Sequence, residues 1–163
     1  MYYFAYGSNM SARRLNDRIK ATKFANGKLL GHTLKFHKIS SKVGSGKCDA
    51  FETKNSDDYI LGVIYEIDKD DLEGLDRFEA KGKGYERKEV EINLENMSRI
   101  SAITYYATNI DHTLFPYNWY KYHVLHGAKE NKLNENYIKF IESISSISDP
   151  DTERNAKELE IYK

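Results

Sequence analysis

Two short stretches carry residue types that could do chemistry. The first is Tyr6-Gly7-Ser8-Asn9, where the aromatic run Tyr2–Tyr6 stops. That run has the character of a strand, Gly-Ser-Asn that of a turn, and SARRLNDRI that of a helix start. A strand-to-helix turn can leave several backbone N–H groups unpaired and pointing one way, a cradle for an anion or a developing oxyanion. The second is Glu79. Leu72, Leu75 and Glu79 stand at i, i+3 and i+7, so a helix of about 3.6 residues per turn puts the glutamate on the stripe of the two leucines. The other acids of this segment, Asp70, Asp71, Glu73 and Asp76, mostly fall elsewhere and can stay solvated. A carboxylate aimed at the core loses water, and at a helix C-terminus it meets a negative dipole; both effects favour its protonated form. A glutamate tuned upward can take a proton near neutral pH and return it, as a general acid/base must. Spacing alone leaves open a frayed helix end with Glu79 paired to Lys81 or Lys83. The glycines of AKGKG beside it permit close approach of a ligand.

Other chemistries find less support. Ser8 sits on a strand-to-helix turn, but the G-x-S-x-G elbow of a hydrolase nucleophile is absent. His123 and His126 stand at i, i+3 with no Cys or acidic partner at a metal-ligand spacing, and with His32, His37 and His112 they read as structural or surface residues. Neither a metal nor an organic cofactor is expected. Nothing around Cys48 argues for a lowered thiol pKa. The glycines of SSKVGSGK do not continue into G-K-[ST], since Lys47 is followed by Cys48, which excludes a phosphate-binding P-loop.

Composition narrows the setting. A chain of 163 residues suits one domain, burying roughly two thirds of the surface its unfolded form exposes. Its 25 Lys and Arg balance 25 Asp and Glu, and no local basic patch is visible, so neither nucleic acid nor an acidic membrane surface is an expected partner. One cysteine and a start without secretion-signal features predict a cytoplasmic protein. No apolar run approaches the roughly 20 residues of a bilayer span. The 13 Tyr against 7 Phe are the oddity; most read as half-buried strand residues, leaving a few to line a polar cavity.

These residues need elements to hold them. After the first strand and helix, Lys28–Ile39 reads as one strand with a bulge at Gly31, and CDAFET as a short strand. Asp58–Ile67 is apolar on both faces, as a central strand would be, and ends at a helix cap, Asp68. A short helix over DKDDLEGLDRFE, strands over YERKEVEINL and Arg99–Thr108, and a helix from Pro116 stopping at Gly127 follow. A last helix begins at Asn134, its cap. The count is about six strands and four helices: an α+β fold, a single compact domain with a mixed or antiparallel β-barrel and flanking helices. Residues 1–148 form the domain, and 149–163 read as a polar tail with weak structure.

Three separated stretches, FAYGSNM, LDRFEAKGKGY and YKYHVLHGAKENKL, together resemble the γ-glutamylcyclotransferases, small cytoplasmic enzymes with a compact β-barrel. The resemblance runs in order from about Tyr2 to Leu133. It implies that the α-amine of a γ-glutamyl substrate attacks its own side-chain amide carbonyl, releasing 5-oxoproline and an amine or amino acid. It implies Glu79 as the general acid/base and Tyr6, Gly7, Ser8 and Asn9 as the cradle of the γ-glutamyl group, with Tyr85, Tyr105 and Tyr120 lining the same site. No cofactor enters this chemistry, and family members often form homodimers. One departure stands out: the family usually has glycine after the catalytic glutamate, where this chain has Ala80. A positive φ there would strain alanine. Two further readings carry the same motifs: a paralogue trimming γ-glutamyl from a biosynthetic intermediate, and a non-catalytic binder on the same fold. A pure binder gains little from a desolvated acid.

Overall fold

A computed structural model describes residues 1–79 and 81–163. Five strands close a barrel in the order β1-β5-β2-β6-β7. They are β1 (Tyr2–Ala5), β2 (Ala21–Leu30), β5 (Tyr59–Ile67), β6 (Tyr85–Asn93) and β7 (Arg99–Ala107). β1 runs antiparallel to β5, with Phe4 opposite Ile64, and meets β7 in parallel at Tyr3 and Ile103, which shuts the cylinder. β5 is the central strand the sequence promised: it pairs with β1 on one edge and β2 on the other, and Ile60, Val63, Ile64 and Tyr65 are buried. The α+β class and the barrel agree with the sequence, but the barrel has five strands rather than six.

The remaining strands, β3 (His32–Ile39) and β4 (Gly46–Glu52), form a separate two-stranded ribbon. The stretch expected as one bulged strand is therefore two. Gly31, at φ +70°, turns the chain from the barrel into the ribbon, a backbone angle glycine adopts without penalty. The first half of β2 carried no alternating pattern because Thr22, Lys23 and Phe24 are all exposed.

The helices among the described residues are α1 (Ala12–Asn16), α2 (Lys69–Phe78), α3 (Asn118–Glu130), α4 (Glu135–Ser143) and α5 (Thr152–Leu159). α4 begins where expected, with the Asn134 side chain accepting from the Asn136 N–H. α3 does not stop at Gly127. A Cβ at that position would stand 2.7 Å from both Met10 Cβ and Ser11 N, so this glycine lets the helix lie against the turn after β1. α3 ends at Asn131, whose side-chain amide donates to the carbonyls of Met10 and Gly127, each at 2.8 Å.

The expectation of a weakly structured tail is also corrected. Asp149, buried, accepts from Trp119 Nε1 at 2.7 Å and from Arg154, and Asp151 caps α5 by accepting from the Arg154 N–H. Local polarity hid this helix because its anchors lie on α3 and α1. Ala80, where backbone strain was expected, lies outside the described residues. Among the described residues no helix is long and apolar enough to cross a membrane.

Candidate active site

The turn after β1 is a single 3-10 turn, Ser8–Met10, closed by Met10 N–H donating to Gly7 O at 3.0 Å. Its far end is pinned: the Met10 carbonyl accepts from Tyr65 Oη at 2.7 Å as well as from Asn131. At its near end a Cβ on Gly7 would stand 3.1 Å from Cys48 Cβ, so a larger residue would push the turn away from β4. Among the described residues no hydrogen bond takes up the N–H of Gly7, Ser8 or Asn9. These are the unpaired donors that the sequence pattern suggested.

Glu79 faces this turn. It caps α2, its N–H donating to Leu75 O at 2.9 Å, and its side chain is only 16% exposed. Asn9 Nδ2 donates to Glu79 Oε1 at 2.7 Å, and Arg18 Nη1 lies 3.8 Å from the same oxygen. Asn9 is a hub: its amide nitrogen also donates to Tyr3 Oη at 3.1 Å, and its oxygen accepts from Arg18 at 2.8 Å. Burial pushes the Glu79 carboxyl above its usual 4.5, against the downward pull of Arg18 and the Asn9 hydrogen bond. The alternative pairing with Lys81 is not seen, because Lys81 lies 3.5 Å from Asp76. Asp76 itself is not the solvated acid expected. It accepts from Tyr105 Oη at 2.6 Å and from Arg87 at 3.0 Å, which fastens the last turn of α2, and hence Glu79, onto β6 and β7.

All the residues singled out in the sequence, Tyr6, Gly7, Ser8, Asn9, Glu79, Tyr85, Tyr105 and Tyr120, border one pocket of about 30 Å³. That is room for about one water molecule. Two further lining residues, Tyr3 and Cys48, were not anticipated. Tyr3 lay in the quoted aromatic run, whereas Cys48 was weighed only as a nucleophile and acts here through its backbone. Its carbonyl accepts from Tyr85 Oη, and its N–H donates to Tyr120 Oη at 3.1 Å. The neighbouring Asp49 holds β4 in place by accepting from the Ala107 N–H at 2.7 Å and bonding His37 Nε2 at 2.7 Å. Tyr6 Oη donates to the Tyr105 carbonyl at 2.6 Å. Burial raises the phenols of Tyr6, Tyr85 and Tyr120 and the Cys48 thiol, so all four are neutral at physiological pH. Ser8 Oγ makes no hydrogen bond to any described residue that could act as its base.

Ser8, Glu79, Tyr85 and Tyr120 also line a wider cleft of about 700 Å³. Glu158 lies on its rim. His123 bonds Glu158 at 3.0 Å and Tyr162 at 2.7 Å, while His126 stands 3.9 Å from Glu130.

The fold is a small α+β barrel in which a desolvated carboxylate faces the N–H groups of Gly7, Ser8 and Asn9, which are unpaired among the described residues. The comparisons with known proteins give that fold its family. The AIG2-like family matches residues 59–141, which include Glu79, Tyr85, Tyr105 and Tyr120. A bovine γ-glutamylcyclotransferase is 31% identical over 148 residues, 87% of this chain and 77% of the relative; the human one is 30% identical over the same coverage. A solved γ-glutamyl cyclotransferase superposes with a TM-score of 0.84 at 27% identity, covering 96% of this chain and 98% of the other. A yeast γ-glutamyl cyclotransferase specific to glutathione, 10% identical with a TM-score of 0.65, covers 86% of this chain and 93% of its own and shares the fold. The chain belongs to the γ-glutamylcyclotransferase family.

Proposed function

We propose that the chain is a cytoplasmic γ-glutamylcyclotransferase that converts a γ-glutamyl amide into 5-oxoproline and a free amine or amino acid, with Glu79 as its general acid/base. The observation that carries this reading is the Glu79 carboxylate, 2.7 Å from the Asn9 amide and desolvated, beside a turn in which the N–H groups of Gly7, Ser8 and Asn9 have no partner among the described residues.

The substrate's α-amine is mostly an ammonium at pH 7 and cannot attack until a base removes its proton. A carboxylate with an elevated pKa suits that step, because a stronger base takes the proton more readily. The nitrogen then closes on the γ-carbonyl of the same molecule, a reaction that needs the folded conformer held still rather than an external nucleophile. Negative charge gathers on the carbonyl oxygen, and the N–H groups of Gly7, Ser8 and Asn9 are placed to receive it. Glu79 returns the proton to the departing nitrogen, and the second proton that the attacking nitrogen sheds as it becomes the lactam N–H leaves with the released amine as its ammonium. One C–N bond forms, one breaks, and no water is consumed. The neutral hydroxyls of Tyr85 and Tyr120 are tied to the Cys48 backbone and wall the site rather than exchange protons. The inner pocket is too small for a γ-glutamyl head, so the head enters through the wider cleft that shares Ser8, Glu79, Tyr85 and Tyr120, and side chains at the shared wall move to admit it.

The test is incubation of the purified chain with a panel of γ-glutamyl amides spanning amino acids, amines and larger conjugates, with 5-oxoproline detected by mass. Stoichiometric release of 5-oxoproline and the amine supports the reading. Release of free glutamate would indicate hydrolysis and overturn it.

A further inference from the structure

The cleft outside Glu79 is unlike the chain as a whole. The protein has no net charge, yet the cleft is lined by eight Lys and Arg against three carboxylates, a surplus of five positive charges. All three carboxylates are already engaged: Glu158 with Arg14 at 3.2 Å, Asp76 with Lys81 and Arg87, and Glu79 with Arg18. Of the remaining cations, Lys42, Arg77 and Lys83 are exposed and sit in water. Lys38 and Lys47 do not. Lys38 is only 6% exposed and Lys47 is half-buried, and neither is within ion-pair distance of a carboxylate among the described residues.

Their ammonium groups are placed in a related way. Lys38 Nζ lies 4.6 Å from the centre of the Tyr85 ring, and Lys47 Nζ lies 3.9 Å from that of Tyr120 and 4.0 Å from that of Trp119. Tyr85 and Tyr120 are the two tyrosines shared by the inner pocket and the cleft, and both hydroxyls are tied to Cys48. The two ammonium groups therefore flank the boundary between the γ-glutamyl head and whatever lies beyond the scissile amide. Trp119 is fixed by its bond to Asp149, so Lys47 rests on a rigid wall. Desolvation lowers the pKa of Lys38 and brings that of Lys47 down to about 7. A partly buried cation packed on aromatic faces, with the nearest carboxylates beyond ion-pair distance, is incompletely compensated, and an arriving anion would complete it.

Resting on the reaction assigned above, we propose that the preferred leaving group carries two negative charges, as an acidic α-amino acid does, with one carboxylate received by Lys38 and the other by Lys47. Two separated cations match two separated carboxylates. A γ-glutamylamine would leave both without partners, and a neutral amino acid would satisfy one.

The test compares γ-glutamyl-glutamate with γ-glutamyl-glutamine, substrates of nearly the same shape that differ in one charge, and adds γ-glutamyl-ethylamide, whose leaving group has none. The wild-type kcat/KM should fall about tenfold or more from the glutamate to the glutamine substrate, and again to the ethylamide, as expected for the loss of one partly desolvated charge contact at each step. One of the two variants, Lys38→Met or Lys47→Met, should compress the glutamate-to-glutamine ratio to less than about threefold, and the other should lower kcat/KM for both substrates while narrowing the step from glutamine to ethylamide. Equal kcat/KM across the three substrates would overturn the inference while leaving the reaction standing, as would a ratio unmoved in both variants. The wild-type comparison requires no variant to fold. If none of the three yields 5-oxoproline, the reaction itself fails, and this inference falls with it.

Discussion

Two glutamates line the same cleft and have opposite electrostatics. Glu79 is bonded by a neutral amide, with its nearest guanidinium 3.8 Å away, and burial pushes its carboxyl up. Glu158 accepts from His123 at 3.0 Å and from Arg14 at 3.2 Å, and those partners pull its carboxyl down to about 2. Both side chains are largely shielded, at 16% and 30% exposure, so shielding alone does not decide the outcome. What decides it is whether close hydrogen-bonding partners, one of them cationic, replace the lost water. Where they do, the charge is fixed and the carboxylate serves as a clasp. Where a neutral donor does most of that work, the group stays able to exchange a proton.

The largest effect should come from removing the exchangeable acid. Glu79→Gln keeps the shape and a hydrogen-bonding side chain but cannot accept the ammonium proton, so kcat/KM for 5-oxoproline formation should fall by about 10²- to 10⁴-fold. Binding of a γ-glutamyl ligand, followed by calorimetry, should survive. Full activity in this variant would end the contrast between the two glutamates.

Removing the clasp should act on stability. Glu158→Gln loses a charged partner for Arg14 and His123, and unfolding in urea at pH 7 should show a loss of about 1–3 kcal/mol. The pH dependence follows from the signs. In the folded chain Glu158 titrates at about 2 instead of 4.5, and buried His123 at about 4 instead of 6.5. Both values are depressed, so their joint contribution is complete above pH 6.5 and is lost as pH falls, first through His123 and then through Glu158. The stability gap between wild type and Glu158→Gln should therefore narrow below pH 4.5. A gap that stays constant down to pH 3 would mean that α5 is held by something other than this carboxylate.

The two kinds of environment were not equally legible in the sequence. The turn at Gly7–Asn9 and the inward placement of Glu79 are local facts, written in spacing within one turn and one helix. Tyr85, Tyr105 and Tyr120 came only from family resemblance, because nothing in their own strands or helix separates them from the other tyrosines. Arg18, Lys38, Lys47 and the backbone role of Cys48 were invisible. Arg18 comes from the chain just after α1 and meets Asn9 nine residues back, whereas Lys38, Lys47 and Cys48 reach the site because Gly31 sends β3 and β4 away from the barrel and back over the opening turn, a long-range event. The Glu158 clasp was hidden for the same reason, since its partners lie on α1 and α3 while the segment itself reads as polar tail. Gly127 misled because a glycine near a helix end usually signals termination, and here it serves close packing against Met10.

A subtler change can shift Glu79 without removing it. Asn9→Ala deletes the hydrogen bond to its carboxylate, and that bond holds the Glu79 pKa down. In the proposed role of Glu79 the ionised form accepts the first proton, so kcat/KM should fall as pH drops through the Glu79 pKa. In Asn9→Ala that acid limb should move upward, the direction expected for losing a hydrogen bond to the charged form. A limb that stays in place would assign the titration to another group.

The smallest effect is expected at the most conspicuous residue of the opening turn. Ser8 has the side chain that invites a nucleophilic mechanism, yet its hydroxyl has no hydrogen-bonded base among the described residues, and the self-attacking substrate needs none. What Ser8 offers is its main-chain N–H, which alanine keeps. The turn itself is held by the Met10 N–H bond to Gly7 and by the bonds from Tyr65 and Asn131 to the Met10 carbonyl, none of which involves Ser8 Oγ. Ser8→Ala should therefore change kcat/KM by less than about threefold, well under the 10²- to 10³-fold typical of deleting an oxyanion donor. A loss of the larger size would make the hydroxyl, rather than the backbone, the group that meets the substrate, and the cradle would have to be redrawn around the side chain.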